Sequence, residues 1–376
     1  MQEKCRKGIF LAGSTLGRHI SAHLCRNMDK PLKSHSPPGP RLKNGKVTSQ
    51  DVAARAGVSR SAVSRTFTPG AYVSDKVRAK VRKAAEELGY LPNILARSLI
   101  AGTSGLVAVI VGPIASPQEP VLIDAVTRKL ADQGKRTLLV PLPTSGVADE
   151  SLFEALSYQV EAAIVFAGTV GTAASEHCTS IGTRLTIFGR IIDGPGVSCV
   201  IYDNAAAADA AARLLVRSGH RKIAYIGTRH RAFSDLERYH AVSAVLTEHG
   251  LDFHAVGAGD YGHDSGFQAA LTMLNAVDPP DAIYCSNDGM ALGALDAARA
   301  LGIRVPDDLA VVGMDDTPMA AWPAYRLTTW GVPADTIGEI MVRATLDPEE
   351  ESSDGAARIV RIPLSLALRD STRKFT

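Results

Sequence analysis

Residues 47 to 67 read VTSQDVAARAGVSRSAVSRTF, and this stretch decides the fold of the amino-terminal part of the chain. Thr48 or Ser49 can cap the start of a helix that keeps its apolar residues on one face. Gly57 follows where a left-handed residue would end that helix and turn the chain sharply. The stretch therefore predicts a short helix whose two ends are both marked in the sequence.

The residues after this turn predict a second short helix. Ser59 is placed to cap it, and its pattern runs from Arg60 to about Phe67. Two short helices joined by a glycine-containing turn form a helix-turn-helix, whose second helix lies in the major groove of DNA. Arg60, Ser61 and Arg65 point outward near the start of the second helix, and arginine is the side chain best suited to pair with guanine.

A third helix completes a small bundle that we predict to span residues 47–91. It runs from Ser74, the expected cap, to Leu88, and Gly89 is placed to end it. Its basic residues face mostly outward and are available to phosphates: Lys76, Arg78, Lys80, Arg82 and Lys83. A bundle of this size is sufficient for a module that reads DNA.

Charge is divided unevenly along the chain, although the formal net charge is only +2. Residues 1–104 carry 19 Lys or Arg and 6 Asp or Glu, whereas the other 272 residues carry 22 and 33. A basic head on an acidic body is expected when only the head meets a polyanion such as DNA. A merely solvated basic face is the alternative that charge alone leaves open.

The first 46 residues are predicted to be a disordered basic leader. Residues 30–46 are rich in Pro, Ser, Gly and Lys, a composition that cannot bury a core. The apolar run at residues 8–13 is soon followed by Arg18 and His19, so it makes a poor export signal. Met28 is a second candidate for the start of translation, which amino-terminal sequencing of the native protein would decide.

Six short motifs run through residues 51–99. They are Asp51-Val52-Ala53, Ala56-Gly57-Val58-Ser59, Ala62-Val63-Ser64-Arg65, Glu87-Leu88-Gly89-Tyr90, Pro92-Asn93 and Ala96-Arg97-Ser98-Leu99. Together they make this part of the chain similar to the lactose/galactose repressor (LacI/GalR) family. The resemblance implies that ten residues contact DNA: Thr48, Ser59, Arg60, Ser61, Ser64, Arg65, Asn93, Ala96, Arg97 and Leu99.

The resemblance also assigns residues 92–104 to a hinge. In the family this short segment folds as a helix only when two protomers sit together on DNA, since isolated helices of this length are marginal. Leu99 matches a leucine that wedges between base steps in the minor groove, and Ala96 matches the point where the paired helices approach. A plain linker that tucks Leu99 into the body is the alternative. Residues 101–104 are expected to be a flexible connector.

Short apolar runs alternate with helical stretches from Gly105 to about residue 370. The strand candidates are Leu106–Val111, Thr137–Val140, Ala163–Phe166, Leu185–Phe188, Ile223–Ile226, Ala282–Cys285 and Ala310–Val312. This alternation predicts doubly wound parallel sheets that are covered by helices on both faces. Ligands bind such folds beyond the carboxyl ends of the strands.

Polar or conformationally special residues follow several of these strands. Gly112 follows the first strand, Arg190 the fourth, Asn287 and Asp288 the strand at 282–285, and Asp315 the strand at 310–312. A core residue at such a position would be apolar, so these are candidate ligand residues. For Asp315, the alternative is a structural role as a helix cap or in a solvated loop. A structural role is likewise the alternative for Arg190.

The body also carries motifs of the same family. They are 217–224 (RSGHRKIA), 286–288 (SND), 291–293 (ALG), 305–308 (VPDD), 312–316 (VGMDD), 327–329 (LTT) and 369–372 (RDST). The resemblance implies a body similar to periplasmic sugar-binding proteins, with an N-subdomain at about 105–202 and 331–359 and a C-subdomain at about 203–330 and 360–370. The crossovers would fall near Tyr202–Asn204, Trp330–Val332 and Arg358–Arg361, followed by a polar tail at 371–376.

Carrying the family's pocket over one residue at a time gives seven candidates: Gly112, Arg190, Tyr202, Arg238, Tyr261, Asn287 and Asp315. Two features depart from the family pattern. Arg190 stands where the lactose-type sensor has an acid, so an anionic or differently decorated ligand is expected, and residues 238–241 read RYHA rather than Arg-x-x-Gly. Trp322 and Trp330 are interpreted as packing residues, although Trp330 lies near a crossover.

These features favour a sequence-specific DNA-binding transcriptional regulator, most simply a repressor. We expect a homodimer on a pseudo-palindromic double-stranded DNA operator, with a small-molecule effector, such as a sugar or related metabolite, bound between the subdomains. Because residues 371–376 are polar and lack a leucine heptad, a dimer is favoured over a tetramer. Release by an inducer is the commoner arrangement in the family, and a corepressor mode stays open.

Two other classes of protein fit the sequence less well. A solute-binding protein would explain residues 105–370 but not the basic head. It would also need an export signal, and the apolar run at residues 8–13 makes a poor one. An enzyme is disfavoured because the chain has no G-x-S-x-G and no phosphate-binding Gly-Lys-Ser/Thr loop. The five cysteines are scattered and no apolar run is long enough for a membrane span, so we expect a bacterial cytoplasmic protein, associated with the nucleoid, without metal or cofactor.

Overall fold

The computed structural model describes residues 47–68, 70–91, 104–112, 114, 116–143, 147–166, 170–229, 232–347 and 356–373. The chain divides into two compact units, residues 1–94 and 95–376, which we treat separately. The predicted leader at 1–46 lies outside the described residues. So do the hinge residues Asn93, Ala96, Arg97 and Leu99.

The head has the three predicted helices: α1 (Ser49–Ala56), α2 (Arg60–Phe67) and α3 (Asp75–Leu88). Thr48 caps α1 in a capping box: its backbone N–H donates to Asp51 Oδ2 at 2.8 Å, and Asp51 N–H donates to Thr48 Oγ1 at 3.4 Å. Gly57 ends the helix at φ 66°, a left-handed conformation that glycine adopts without strain. Ser74 precedes α3 but makes no capping hydrogen bond.

The three helices pack around a small aliphatic core. Val52, Val63 and Val81 are the most deeply buried members, one from each helix. Phe67 and Tyr90 close one side, with their ring centroids 6.0 Å apart. The helix-turn-helix is therefore stabilised by side-chain contacts between helices that are close together in the sequence.

In the body, the first sheet belongs to the N-subdomain. Its strands are β1 (Leu106–Val111), β2 (Arg136–Pro141), β3 (Ala162–Val165), β4 (Arg184–Phe188), β5 (Val197–Tyr202) and β11 (Arg358–Ile362). Among the described residues they pair in parallel in the order β11-β5-β4-β3-β1-β2. The flanking helices are α4 (Gln118–Asp132), α5 (Asp149–Ser157), α6 (Thr172–Ser180) and α11 (Ala334–Leu346).

The second sheet belongs to the C-subdomain. Its strands are β6 (Ile223–Thr228), β7 (Ala255–Gly259), β8 (Ala282–Cys285) and β9 (Ala310–Val312), in the parallel order β7-β6-β8-β9. Its helices are α7 (Asn204–Arg217), α8 (Phe233–Glu248), α9 (His263–Leu274) and α10 (Asp288–Ala300), with a short 3₁₀ turn at Pro318–Ala321. Two short antiparallel strands, β10 (Thr329–Gly331) and β12 (Ser365–Ala367), lie where the chain passes between the subdomains.

The third crossover lies later in the chain than the sequence predicts. Residues 358–361 belong to β11, which pairs with β5 in the first sheet, with Arg361 beside Ile201. The chain therefore leaves the N-subdomain after Ile362, and the boundary predicted at 359/360 moves accordingly. The predicted position came from the family resemblance, which did not show that this segment pairs with β5.

The end of the body also differs from the prediction of a polar tail at 371–376. Ser371 and Thr372 are buried. The Ser371 hydroxyl donates to the Val311 carbonyl at 2.6 Å and accepts from Thr328 N–H at 2.8 Å. Ser371 is part of the C-subdomain fold because its hydroxyl both donates and accepts inside it, and the Thr372 hydroxyl lies 2.9 Å from Thr328 Oγ1.

All seven predicted strands are present, but β5, β7 and the short strands β10, β11 and β12 were not predicted. β7 reads AVGAG, which is poor in β-branched residues, and two of its five residues are exposed. None of the helices in the described parts of the chain is long and apolar enough to span a bilayer.

Helices α9 and α10 pack backbone to backbone. A Cβ on Gly293 would overlap the carbonyl oxygen of His263, and a Cβ on Gly266 would overlap the backbone of Met290. The lack of a side chain at these two positions lets α10 sit close to α9. This packing fixes the start of α10, where Asn287 and Asp288 lie.

Candidate functional site

The head presents one polar face on its second helix. Arg60, Ser61, Ser64 and Arg65 are all exposed, as the prediction of DNA contact requires. Arg65 Nε donates to the Ser61 carbonyl at 3.4 Å along its own helix. Contacts to a base can replace this long, exposed hydrogen bond at little cost, because a hydrogen bond of this kind contributes only about 1 kcal/mol of net stability.

Thr48 and Ser59, the other two candidates in the described head, cap helices. Ser59 Oγ accepts from Ala62 N–H at 3.3 Å and lies 2.9 Å from Ser61 Oγ. Both residues are exposed, so the hydroxyls that cap the starts of α1 and α2 face solvent. The four candidates in residues 92–99 lie outside the described residues, and their contacts stay a prediction.

The body places its candidate residues at the carboxyl ends of both sheets. Gly112 follows β1, Arg190 follows β4 and Tyr202 ends β5, all in the N-subdomain. Arg238 on α8, Tyr261 after β7, Asn287 after β8 and Asp315 after β9 come from the C-subdomain. The predicted residues are thus divided between the two subdomains, most of them at the strand ends where folds of this kind bind ligands.

Asp315 is the most unusual residue of this cleft. It is buried at 6% exposure and has φ 126°, and its N–H donates to the Trp330 carbonyl at 2.7 Å. Burial raises the pKa of its carboxyl well above the usual range, while Arg238 opposes the shift. Among the described residues no donor binds this carboxylate, so its oxygens are available to ligand hydroxyls.

Arg238 is the charge that faces Asp315. It is buried, its Nε donates to Asn204 Oδ1 at 2.9 Å, and its Nη1 donates to the Ser286 carbonyl. Burial opposes its charge, but Asp315 and nearby tyrosines raise its pKa. Its guanidinium therefore stays charged, with donors left over for a ligand.

Arg238 is also the first member of a chain of hydrogen bonds that reaches the crossovers. Asn204, directly after the first crossover, donates from Nδ2 to Glu237 Oε2 at 2.9 Å. Glu237 Oε1 in turn accepts from Arg361 Nη1 at 3.3 Å. Because Arg361 lies on β11 and Glu237 on α8, this chain links the two subdomains beside the cleft.

Tyr202 and Tyr261 face the cleft from opposite subdomains. The Tyr202 hydroxyl accepts from Gln118 Nε2 at 2.7 Å, and its ring meets that of Phe188 edge-on at 5.4 Å. Tyr261 has φ 70° and its hydroxyl lies 3.4 Å from Ser234 Oγ. Both phenols are buried enough to raise their pKa and stay neutral hydrogen-bonding groups.

The side chain of Asn287 is occupied by the fold. Its Oδ1 accepts from Met290 N–H at 3.0 Å and so caps α10. Its Nδ2 donates to the Tyr261 carbonyl at 3.0 Å and to Ser116 Oγ at 3.4 Å across the cleft. Asn287 thus joins the two subdomains by a hydrogen bond in this conformation. Its contact with a ligand stays a prediction.

Asp288, next to Asn287, connects segments of the C-subdomain beside the candidate site. Its Oδ2 accepts from Thr317 N–H at 2.7 Å, and its Oδ1 accepts from Thr329 Oγ1 at 2.6 Å. Burial raises its pKa although these donors favour the charged form. Asp288 therefore ties the start of α10 to the second crossover, a role its position after β8 did not reveal.

Arg190 follows β4 in the N-subdomain. It is half-buried, and burial lowers its pKa while the phenol of Tyr261 acts in the opposite direction. Of the two tryptophans, Trp330 packs in the C-subdomain core at 4% exposure, as predicted. Trp322 is 52% exposed, so its interpretation as a packing residue is wrong.

The arrangement is that of a binding site. Carboxylate, guanidinium and phenol groups surround a cleft with aromatic walls, which suits a polar, hydroxyl-bearing molecule. Within the described ranges, no group of three His, Cys, Asp or Glu side chains is placed to hold a metal ion.

Comparison with known proteins matches both units. Residues 48–93 match the family model described as bacterial regulatory proteins, lacI family, and residues 212–372 match a periplasmic binding protein-like domain. The transcriptional regulator CelR of Thermobifida fusca is 30% identical over 334 residues, which cover 86% of this chain and 98% of CelR.

Solved structures give the same result. The lac repressor dimer bound to operator and the anti-inducer ONPF superposes with a TM-score of 0.74 at 26% identity, covering 87% of this chain and 99% of that one. A CelR–cellobiose complex has a TM-score of 0.62 at 28% identity, covering 87% and 100%.

Proposed function

The chain belongs to the LacI family of bacterial regulatory proteins, and on this premise we propose that it is a repressor whose operator binding is controlled by a small molecule in the body cleft. The observation that carries the proposal is the buried Asp315 carboxylate, without a donor among the described residues, beside the charged Arg238. Because the Asp315 oxygens accept no hydrogen bond from the described residues and Arg238 has donors left over, the pair suits a ligand whose hydroxyl groups bind both side chains.

The DNA side of the proposal rests on the exposed face of α2. Arg60, Ser61, Ser64 and Arg65 contact base edges in the major groove, and the basic residues of α3 contact phosphates. Asn93, Ala96, Arg97 and Leu99 then form the hinge contacts that the family resemblance implies. Base contacts supply the sequence preference, and phosphate contacts supply affinity for any DNA.

The effector acts by changing the relation between the two subdomains. A ligand that binds Asp315 and Arg238 on one side and Tyr202 on the other favours one arrangement of the crossovers. The Arg238–Asn204–Glu237–Arg361 chain supports this route, because it joins the site to strands on both sides of the hinge. By linkage, operator binding must change effector affinity by the same factor.

The active form is a homodimer on a pseudo-palindromic operator. The lac repressor among the structural neighbours is a dimer bound to operator, which supports the extension to this chain. Two-fold symmetric proteins read two half-sites that are related by the same symmetry. The effector acts as an inducer, and the protein works as a binding protein in the bacterial cytoplasm rather than as an enzyme.

One experiment tests the proposal as a whole. An operator is first obtained by selecting tight binders for the full chain from a random DNA library. Sugars, sugar acids, sugar phosphates and nucleobases are then tested for release of this operator and for thermal stabilisation. A ligand at ~100 times its dissociation constant adds about 2.7 kcal/mol of stability, which is readily measured. Failure to select any sequence above background would contradict a repressor function.

A further inference from the structure

Arg190 occupies a distinctive place in the cleft. It stands two residues beyond Phe188, where β4 has just ended alongside β5, and Gly189 N–H still donates to the Val200 carbonyl at 2.9 Å. Phe188 in turn contacts the Tyr202 ring. Arg190 is therefore anchored at the carboxyl edge of the N-subdomain sheet, beside a wall of the site.

The guanidinium of Arg190 has no counter-charge. It is half-buried, yet no hydrogen bond or ion pair joins it to any part of the chain that the structure describes. Burial lowers the pKa of Arg190 and the phenol of Tyr261, from the opposite subdomain, opposes this shift, but the phenol carries no charge while it is protonated. A desolvated guanidinium costs free energy unless an acceptor is supplied, and a phenol is a weak one.

The other arginine of the cleft is balanced. Arg238 has Asn204, the Ser286 carbonyl and the charge of Asp315. Asp315 responds to Arg238, Asp288 and Glu119, and Arg190 is absent from the charges that act on it. Among the described residues, Arg238 therefore has hydrogen-bond partners and an acidic neighbour, whereas the Arg190 guanidinium has neither.

From this asymmetry we infer that the effector carries an anionic group, a carboxylate or phosphate, that pairs with Arg190 while its hydroxyls bind Asp315 and Arg238. The inference rests on the proposed function, because it names the class of molecule that the effector site takes. Arginine is suited to it, since its planar fork matches carboxylate and phosphate oxygens in bidentate pairs. The class is thus a sugar acid or a sugar phosphate rather than a neutral sugar.

Matched pairs of compounds test this assignment with the full chain. Isothermal titration compares galactose with galacturonate, glucose with glucuronate, glucose with glucose 6-phosphate and ribose with ribose 5-phosphate. The carboxylate and phosphate arms distinguish the two sources of the anion. At least one acid should bind more tightly than its neutral partner by about 10- to 100-fold, as expected for a charge-assisted pair.

Two variants and one control sharpen the result. Arg190→Gln should reduce binding of the acid about 10- to 100-fold and leave the neutral partner almost unchanged, so that the preference disappears. Asp315→Asn should weaken both members of a pair, because both use the hydroxyl end of the site. The control Arg217→Gln removes an exposed arginine at the end of α7 and should change neither.

Three outcomes would overturn the inference. One is a neutral sugar that binds as tightly as its acid, and another is binding of the acid that Arg190→Gln leaves unaffected. The third is a wild-type chain that binds none of the acids or phosphates. Operator selection with the same preparation separates the two proposals, because specific DNA binding would persist if only the effector class were wrong.

Discussion

The head and the body use their polar residues in opposite ways. In the head, Arg60, Ser61, Ser64 and Arg65 are exposed and bonded within one or two turns of chain or to the neighbouring helix. In the body, Arg238, Asn204 and Asp288 are buried and bonded to partners far away in sequence. An exposed side chain can be replaced with little effect on its neighbours, whereas replacing one member of a buried hydrogen-bond network affects the other members. The comparison therefore predicts local effects in the head and coupled effects in the body.

The largest effect is expected where the body tolerates no side chain at all. Gly293→Val would push a branched side chain into the backbone of α9 and should lower the free energy of unfolding by about 3 kcal/mol or more. Thermal denaturation of the full chain measures this. Ala300→Val, at the exposed end of the same helix, is the control and should cost less than about 0.7 kcal/mol. Equal effects of the two changes would contradict the close packing of α9 and α10.

The next effect belongs to the head and concerns specificity. Arg65→Ala should weaken binding to the selected operator by about 1–3 kcal/mol and leave binding to random DNA nearly unchanged. Lys83→Ala is the matched change on α3, and it should weaken binding to both DNAs alike, because we propose that this exposed lysine contacts phosphate rather than bases. Fluorescence anisotropy with both DNAs gives the answer. A parallel loss for Arg65→Ala would exclude base readout by this residue.

A smaller effect is expected in the hydrogen-bond chain of the body. Asn204→Ala breaks the link between Arg238 and Glu237 and should reduce the coupling between effector and operator by about 0.5–2 kcal/mol. The measurement is effector affinity with and without operator, which isolates coupling from stability. Thr247→Ala, on an exposed part of α8 outside this chain, is the control. An unchanged coupling in Asn204→Ala would show that the subdomains communicate by another route.

The smallest effect tests the local character of the head. Thr48→Ala removes the capping box of α1 and should lower stability by about 0.5–1 kcal/mol. Ser74→Ala changes a cap position that makes no side-chain hydrogen bond, so its effect should be close to zero. Chemical denaturation of the full chain, followed by the helical signal of the head, compares the two. A larger loss for Ser74→Ala would reverse the assignment of the caps.

The same comparison explains what could be predicted from the sequence. Thr48, Gly57 and Gly89 mark helix ends by local chemistry, and the structure has helix ends at these residues. The strands at 106–111 and 282–285 are continuous apolar runs and were predicted to the residue. Such features depend on neighbours within a few positions, which the sequence lists directly.

The missed features depend on partners far away in the chain. β11 is recognisable as a strand only beside β5, more than 150 residues earlier. Ser371 looks like part of a polar tail until its bonds to Val311 and Thr328 are known. In the site, the carboxyl-end rule located Asn287 and Asp315, but it could not reveal that Asn287 is occupied while Asp315 has no donor among the described residues.

The central claim is that occupancy of the Asp315 end of the cleft controls operator binding. Anisotropy with the selected operator, with and without the compound that binds in the titrations, tests it in wild type and in Asp315→Asn. We predict that the compound weakens operator binding by wild type, and that Asp315→Asn binds the operator normally but no longer responds. A response that persists in Asp315→Asn at the same compound concentration would contradict the account.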